Sequence, residues 1–184
     1  MGKLFAELYG FVIYNPDLLD RYLFENQIPI TDVLRVFTET EHGDSVIREG
    51  IAIPIVNIPE GYYDFTLTTD ERAYYLSESK GWSVKITTGV LRVIGIGYLN
   101  DLSLIDHHRK VDFQLPPGWY ELSIHSFQHK GNEGEISDGG FYLDFHPVKI
   151  QPIPSGELGF DFGFVESAGK CKNRHFEMNN SVDA

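Results

Sequence analysis

The sequence predicts an all-β fold: an antiparallel β-sandwich of two related β units, with a short helical or turn segment near the N-terminus. After residue 50, apolar and polar residues alternate with a period of two, and Gly, Pro and Asp turn signals separate short runs of strand-favouring residues. A twelve-residue pattern also occurs twice. The expected strands are Ile51–Val56, Tyr62–Thr68, Trp82–Thr87, Val90–Tyr98, Lys110–Leu115, Trp119–Ser126 and Phe141–Ile150.

The first 50 residues follow a different pattern. Leu4–Tyr14 is apolar and aromatic and is expected to form a first strand, after which Asn15-Pro16-Asp17 signals a turn or a helix start. Two helical turns are expected over Asp17–Phe24, and Ile30–Phe37 fits either a strand or a helix. Pro54 has no N–H to donate to a neighbouring strand, so its strand is expected at a sheet edge or at a bulge.

The repeated pattern links two distant segments. Ile58–Thr69 matches Leu115–Ser126 residue class by residue class, and each copy contains a Pro-x-Gly turn followed by two aromatic residues. A polar loop and a Val-Lys-Ile strand follow each copy, at Val84–Ile86 and at Val148–Ile150. This internal repeat predicts two related β units.

The chain length of 184 residues suits one domain, expected over residues 1–165. Its last strand is expected over Gly156–Val165, where Leu158, Phe160, Phe162 and Phe164 alternate with Gly and Asp. Residues 166–184 are polar and aperiodic, which predicts a mobile tail.

The composition excludes several classes of protein. A net charge of −12 argues against binding to a phosphate backbone, which requires clustered Lys and Arg, and favours a basic partner or simple solubility. One cysteine, Cys171, excludes an intramolecular disulfide framework and a cysteine-based zinc site. No apolar run approaches the length of a membrane span, and the N-terminus does not resemble a secretory signal, so a cytoplasmic location is expected.

No pattern demands an enzyme, a metal or a cofactor. Adjacent residues of a strand face opposite sides, so only one of His107 and His108 could join His125 or His129 and a carboxylate in a metal site, and surface histidines explain the same residues. The acidic segment Gly131–Gly140 lacks the ligand spacing of a calcium loop. Cys171 stands in the polar tail without a base to activate it, so we expect a non-enzymatic protein with no metal and no cofactor.

Binding to another protein is the favoured function. Two polar loops, expected over Thr68–Gly81 and Ser126–Gly140, follow equivalent strands of the repeat and combine acids with aromatic residues such as Tyr75 and Phe127. Acids around an aromatic anchor suit recognition of a cationic cleft, because charge accelerates the encounter and the aromatic ring is buried on binding. The candidate partner-binding residues are Asp70, Glu71, Tyr74, Glu133, Glu135 and Asp138. The alternative is that Tyr74 and Tyr75 fold back onto the core.

The stretch Val111–Leu122, followed by an acidic loop and Phe141–Phe145, resembles the C-terminal signature of the competence protein J family. Glu49–Ile55 is similar to the glycine-then-strand entry of that family. The resemblance implies a small acidic cytosolic protein that inhibits a DNA-entry nuclease, or a related β-sandwich immunity protein against a toxin. It carries over no functional residues, and the segment after residue 150 departs from the family pattern.

Two other functions are consistent with the sequence. A carbohydrate-binding or small-ligand module would use Trp82 and Trp119 as platforms, although both stand at strand starts beside apolar neighbours. A cupin-like metal-dependent enzyme would use His107 or His108 with His125. The favoured interpretation is an acidic inhibitor or immunity protein that blocks a basic nuclease or toxin and binds neither nucleic acid nor membrane. Whether its two acidic loops share one end of the fold is left open.

Overall fold

The computed structural model describes residues 2–69, 73–130 and 136–164. β-Strands are the most abundant element of this part of the chain and are arranged in two sheets. Its nine strands are β1 (Gly2–Phe5), β2 (Gly10–Tyr14), β3 (Ala52–Val56), β4 (Tyr62–Thr66), β5 (Ala73–Ile86), β6 (Val90–Gly95), β7 (Lys110–Gln114), β8 (Gly118–Lys130) and β9 (Ile136–Val148). The seven strands expected between residues 51 and 150 therefore occur, and the expected first strand is divided between β1 and β2.

Three α-helices connect β2 to β3: α1 (Pro16–Glu25), α2 (Val33–Glu39) and α3 (His42–Arg48). The start of α1 is capped by Asn15, whose Oδ1 accepts a hydrogen bond from the Leu18 N–H at 3.1 Å, and Pro16 suits the first helical position. The Asn15 amide is fully buried and also donates to the Lys85 carbonyl at 3.1 Å. Short 3-10 helices occur at Glu7–Tyr9, Ile96–Asn100 and Leu102–Leu104.

The five-stranded sheet has the order β1-β4-β9-β8-β5, and the four-stranded sheet has the order β3-β2-β6-β7. The strand pairs are antiparallel except β4 and β9, which are parallel, with Tyr63 opposite Gly139 and Thr66 opposite Tyr142. The expectation of a wholly antiparallel arrangement was wrong. β4 and β5 run in the same direction, and the antiparallel hairpin β8–β9 lies between them, so it can be antiparallel to only one of these two strands. Pro54 lies in β3, an edge strand, as predicted.

Two apolar clusters flank the four-stranded sheet. The larger cluster combines residues of both sheets, among them Phe11 and Ile13 of β2 with Phe65, Leu122 and Phe141 of the five-stranded sheet. The smaller cluster joins the opposite face of the four-stranded sheet to the helices and includes Val12, Ile94, Leu19, Val33 and Val46. The three helices thus cover one face of the four-stranded sheet, while its other face contributes to the larger cluster.

Strands β5, β8 and β9 extend into the segments expected to be loops. β5 begins at Ala73 rather than Trp82, and β8 continues to Lys130. The polar residues of β5 are compatible with a strand because their side chains find partners: the Ser77 and Ser126 hydroxyls are 2.9 Å apart, and Ser79 Oγ accepts from Trp82 Nε1 at 3.0 Å. The acidic segments between strands are consequently shorter than the sequence indicated.

The final strand expected over Gly156–Val165 is not found in its described portion, up to residue 164. Gly159 and Gly163 have φ angles of +80° and +74°, which interrupt an extended conformation. The aromatic residues of this segment still reach the core: Phe162 is 5% exposed, and its carbonyl accepts a hydrogen bond from Ser126 Oγ at 2.6 Å. The expected tail, 166–184, lies outside the described residues.

The four strands of the internal repeat all lie in the five-stranded sheet, where their order is β4-β9-β8-β5. The first copy supplies β4 and β5, which are not neighbours, whereas the second supplies β8 and β9, which form a hairpin. The hairpin of the second copy therefore lies between the two strands of the first copy within one sheet, so the two copies are not separate β units.

Candidate partner-binding site

The structure locates two of the six predicted partner-binding residues. Tyr74 lies in β5, and Asp138 lies in β9, although its side chain falls outside the described part. The other four, Asp70, Glu71, Glu133 and Glu135, lie outside the described residues. Their neighbours along the chain nevertheless fix where the two acidic segments begin and end.

The first acidic segment ends, and the second begins and ends, at the same end of the five-stranded sheet, whereas Thr66, before the first segment, pairs with Tyr142 in the middle of β9. Ala73, which follows the first segment, pairs with His129 of β8, and Lys130 pairs with Ile136 across the second segment. We call this region, formed by Ala73, Tyr74, Gln128, His129, Lys130 and Ile136, the loop end. The strand residues that follow the first acidic segment and flank the second are therefore adjacent in the sheet.

Three aromatic residues near the loop end differ sharply in exposure. Tyr74, opposite Gln128, is 62% exposed, so the alternative in which it folds back onto the core is wrong. Tyr75 is 39% exposed and contacts Phe127, with ring centroids 6.2 Å apart, and Phe127 is only 1% exposed. Tyr74 is therefore an available anchor, whereas Phe127 is a structural residue.

Two histidine–carboxylate pairs lie beside these aromatic residues. His125 Nε2 is 3.4 Å from Glu78 Oε1, and His129 Nε2 is 3.5 Å from Asp64 Oδ2. The Nε2 atom of His125 is buried and makes no hydrogen bond of good geometry in the described structure, whereas Asp64 is 6% exposed. Each histidine thus has a carboxylate oxygen within 3.5 Å of its Nε2 atom.

Tyr142 contributes a phenol to the same sheet face. Its ring centroid is 5.2 Å from that of His125 and 6.5 Å from that of Tyr75. Burial, together with the negative charge of Asp144, raises the pKa of Tyr142 above the ordinary value of 10.0. The phenol therefore stays neutral at physiological pH and can donate a hydrogen bond.

Many of the basic side chains are neutralised within the protein. Arg92 binds Asp112 through two hydrogen bonds of 2.7 and 3.0 Å, and Lys110 lies 3.4 Å from the same carboxylate. Burial alone would raise the pKa of Asp112, but the hydrogen bond and charge of Arg92, with those of Lys110, outweigh it and lower the pKa below 3.8. Further ion pairs are Arg21–Asp17, Arg35–Asp32, Lys80–Glu78 and Arg109–Asp106.

A second acidic region, missed by the sequence analysis, lies on the helices. Residues 15–50 contain eight acids and three bases. Five of these acids are exposed and form no ion pair within the described ranges: Asp20, Glu25, Glu41, Asp44 and Glu49. The signal was present in the local composition, but α3 was not predicted as an element, so its acids could not be assigned to a surface.

The tryptophans and the histidine pair do not assemble the alternative sites. Trp82 is 2% exposed, so its ring is not accessible to a sugar, and Trp119 has the Lys85 ammonium 5.3 Å from its ring centroid. His107 and His108 are exposed neighbours in a turn, with ring centroids 3.7 Å apart. Within the described ranges, no group of three or more His, Cys, Asp or Glu residues has the geometry to hold a metal ion.

None of the helices in the described segments is both long and apolar enough to cross a membrane. Comparison of the chain with protein-family models, with curated proteins and with solved structures found no match.

Proposed function

We propose that this protein is a non-enzymatic acidic inhibitor, or immunity protein, that binds and blocks a basic nuclease or toxin in the cytoplasm. The observation that carries the proposal is the adjacency of Ala73, which follows the first acidic segment, to Lys130 and Ile136, which flank the second, beside the exposed Tyr74. An aromatic anchor next to several carboxylates is the combination expected of a surface that recognises a cationic cleft. In this proposal the two sheets pack as a β-sandwich that holds the loop end rigid, and both copies of the repeat lie in its five-stranded sheet.

The charge distribution supports the same function. The chain carries a net charge of −12, and six of its basic side chains are engaged in ion pairs with its own carboxylates. The field felt by an approaching molecule is therefore dominated by the unpaired acids. Such a surface repels nucleic acid and accelerates association with a basic protein.

The resemblance to the competence protein J family points in the same direction. Its residues, 111–122 and 141–145, form parts of β7, β8 and β9, the strands that lead to and from the second acidic segment. In this proposal they are structural residues that present Glu133, Glu135 and Asp138 to the partner.

The test is affinity capture with the full chain as bait in a lysate of the source cell, followed by a nuclease assay on the captured fraction. We expect a basic protein whose nuclease activity is silent in the complex at low salt and appears when about 1 M NaCl separates the two proteins. A captured protein without nuclease or toxin activity would contradict the inhibitor function.

Two triple variants of equal charge separate recognition from net charge. Replacing Glu133, Glu135 and Asp138 by alanine is expected to weaken binding by orders of magnitude, because these acids adjoin the loop end. The matched control replaces Asp20, Glu25 and Glu121, which are exposed and unpaired within the described residues, and is expected to lose far less. Equal losses in the two variants would mean that only the total charge matters.

A further inference from the structure

A second candidate surface lies on the helical side of the molecule, away from the acidic segments. Two cavities of about 320 Å³ each share the lining residues Asp44, Ile47 and Leu158. The first is lined mainly by apolar residues of α2, α3 and the four-stranded sheet, and the second extends to Ile153. We call this continuous depression, defined by Leu8, Leu34, Phe37, Ile47, Ile153 and Leu158, the α3 groove.

The rim of the α3 groove exposes large apolar side chains. Leu8 is 55% exposed, Leu158 is 54% exposed and Ile153 is 90% exposed. Single exposed apolar residues are common on protein surfaces, but here three of them surround two adjoining apolar cavities. Such a concentration is typical of a site that another molecule covers.

The backbone at Leu8 adds an independent sign of function. Leu8 and Tyr9 are consecutive non-glycine residues with φ angles of +52° and +60°, a left-handed conformation that disfavours most side chains. Both are more than half exposed, so the protein recovers little of this cost through burial. The segment carries the chain from β1 in one sheet to β2 in the other, a task that glycine or asparagine would perform with less strain. Backbone strain that exposes an apolar side chain is typical of a binding site.

The charge around the groove identifies the kind of partner. Asp44 lines both cavities, and Glu41 and Glu49 adjoin the two ends of α3; none of the three is in an ion pair within the described residues. The opposing cation is Arg48, which lines the second cavity, and Arg35 on α2 is bound to Asp32. Three acids against Arg48 leave an excess of negative charge around α3, which favours a positively charged occupant.

We propose that the α3 groove binds an amphipathic cationic helix of a protein partner, with two apolar side chains of that helix filling the two cavities and its cations facing Glu41, Asp44 and Glu49. This is the arrangement by which amphipathic helices bind grooves in general. The proposal rests on the proposed function, because that function supplies a positively charged partner. The α3 groove would then be a second contact surface, in addition to the loop end.

The test uses NMR of the full chain with a defined probe, a 14-residue helical peptide of leucine and lysine with leucines at positions i, i+3, i+4 and i+7. We expect chemical-shift changes concentrated at the methyl groups of Leu8, Leu34, Ile47 and Leu158, and binding that weakens as salt is added. The control peptide has serine in place of every leucine and the same charge. Equal binding of both peptides, or changes centred on the loop end or on His125 and Tyr142, would overturn the proposal.

Variants at exposed positions keep the test independent of folding. Leu8→Asn and Leu158→Ser are each expected to weaken peptide binding about tenfold, as loss of an apolar anchor does. Leu8→Asn is also expected to raise the urea midpoint of unfolding, because asparagine tolerates the left-handed conformation better than leucine. The matched control is Leu104→Ser, which is 54% exposed and outside the groove, and it should change neither quantity. Unchanged peptide binding in both groove variants would refute the site.

The two proposals can fail separately. If the peptide does not bind while a captured nuclease still depends on Glu133, Glu135 and Asp138, only the groove proposal is wrong. If the groove binds the peptide but no nuclease or toxin is captured, the inhibitor function is wrong and the groove remains a helix-binding site. Sedimentation velocity that detects a dimer lost in Leu158→Ser would assign the groove to a second copy of the chain, against the proposal.

Discussion

The hydroxyl of Tyr63 donates a hydrogen bond to the carbonyl oxygen of Pro59, four residues earlier, at 2.9 Å. The second copy of the internal repeat contains the same bond, from Tyr120 to Pro116 at 2.8 Å. Each tyrosine is buried. Its hydrogen bond links the Pro-x-Gly turn to the strand that follows the turn. The repeat therefore extends from residue classes to an equivalent side-chain interaction.

Removing either hydroxyl should cost similar stability. Tyr63→Phe and Tyr120→Phe are each expected to lower the free energy of unfolding by about 1 kcal/mol, because a carbonyl loses its partner while the ring remains in place. Urea denaturation followed by circular dichroism measures both. A large loss in one variant and none in the other would show that the two turns are not equivalent.

The Arg92–Asp112 pair should make stability depend on acid pH. Because the pKa of Asp112 is lowered in the folded protein, its contribution is present above the ordinary value of 3.8 and is lost as the pH falls through the lower folded value. Asp112→Asn is therefore expected to destabilise the protein by about 1–2 kcal/mol at pH 7 and by much less near pH 2. Denaturation curves at the two pH values provide the measurement, and a loss independent of pH would contradict the assignment.

Gly156 should not tolerate a side chain. A Cβ at this position would overlap the indole ring of the buried Trp82, and the Gly156 N–H also donates to the Gly81 carbonyl at 3.0 Å. Gly156→Ala is expected to cost about 1–3 kcal/mol through overpacking and to alter the tryptophan fluorescence. Gly61→Ala is the control, because its Cβ would lie 3.5 Å from the Tyr63 ring, an ordinary contact. Equal stability of the two variants would contradict the packing at Trp82.

Tyr74 should matter for binding and not for folding. Its side chain is 62% exposed, so Tyr74→Ser is expected to change stability by less than about 0.5 kcal/mol. Loss of an aromatic anchor should weaken binding to the captured partner by roughly 2 kcal/mol, about thirtyfold, measured by calorimetry. Phe24→Ser, at an 85% exposed position in α1, is the matched control. If both variants bind equally well, Tyr74 is not an anchor.

The sequence predicted most strands because their signals are local. Alternation at Tyr62–Thr66 and Lys110–Gln114, bounded by turn residues, matches β4 and β7 closely. The start of β5 was missed because Ser77 and Ser79 look like loop residues until their hydroxyls meet Ser126 and Trp82, contacts that no local pattern contains. The parallel pairing of β4 with β9 depends likewise on segments more than 70 residues apart.

The candidate surfaces were predictable to different degrees. The sequence did not predict which tyrosine of the Tyr74–Tyr75 pair is exposed. In the structure, Tyr74 faces solvent and Tyr75 packs on Phe127. The α3 groove could not be predicted from the sequence, because its lining combines Leu8, α2, α3 and Leu158, which are distant along the chain. The left-handed conformation of Leu8 could not be predicted either, because leucine rarely adopts it.

The parallel alignment of β4 with β9 also sets an order of events during synthesis. β4 has emerged from the ribosome long before residue 142, the last residue of β9 that it pairs with, so one edge of β4 must wait unpaired while some 75 further residues are translated. At about 5–20 residues per second, this wait lasts roughly 4–15 seconds. Contacts between such distant segments also slow folding itself, because a large loop must close before they form. The nascent chain is therefore exposed to aggregation for longer than a protein built from successive hairpins, and rapid expression should increase the insoluble fraction.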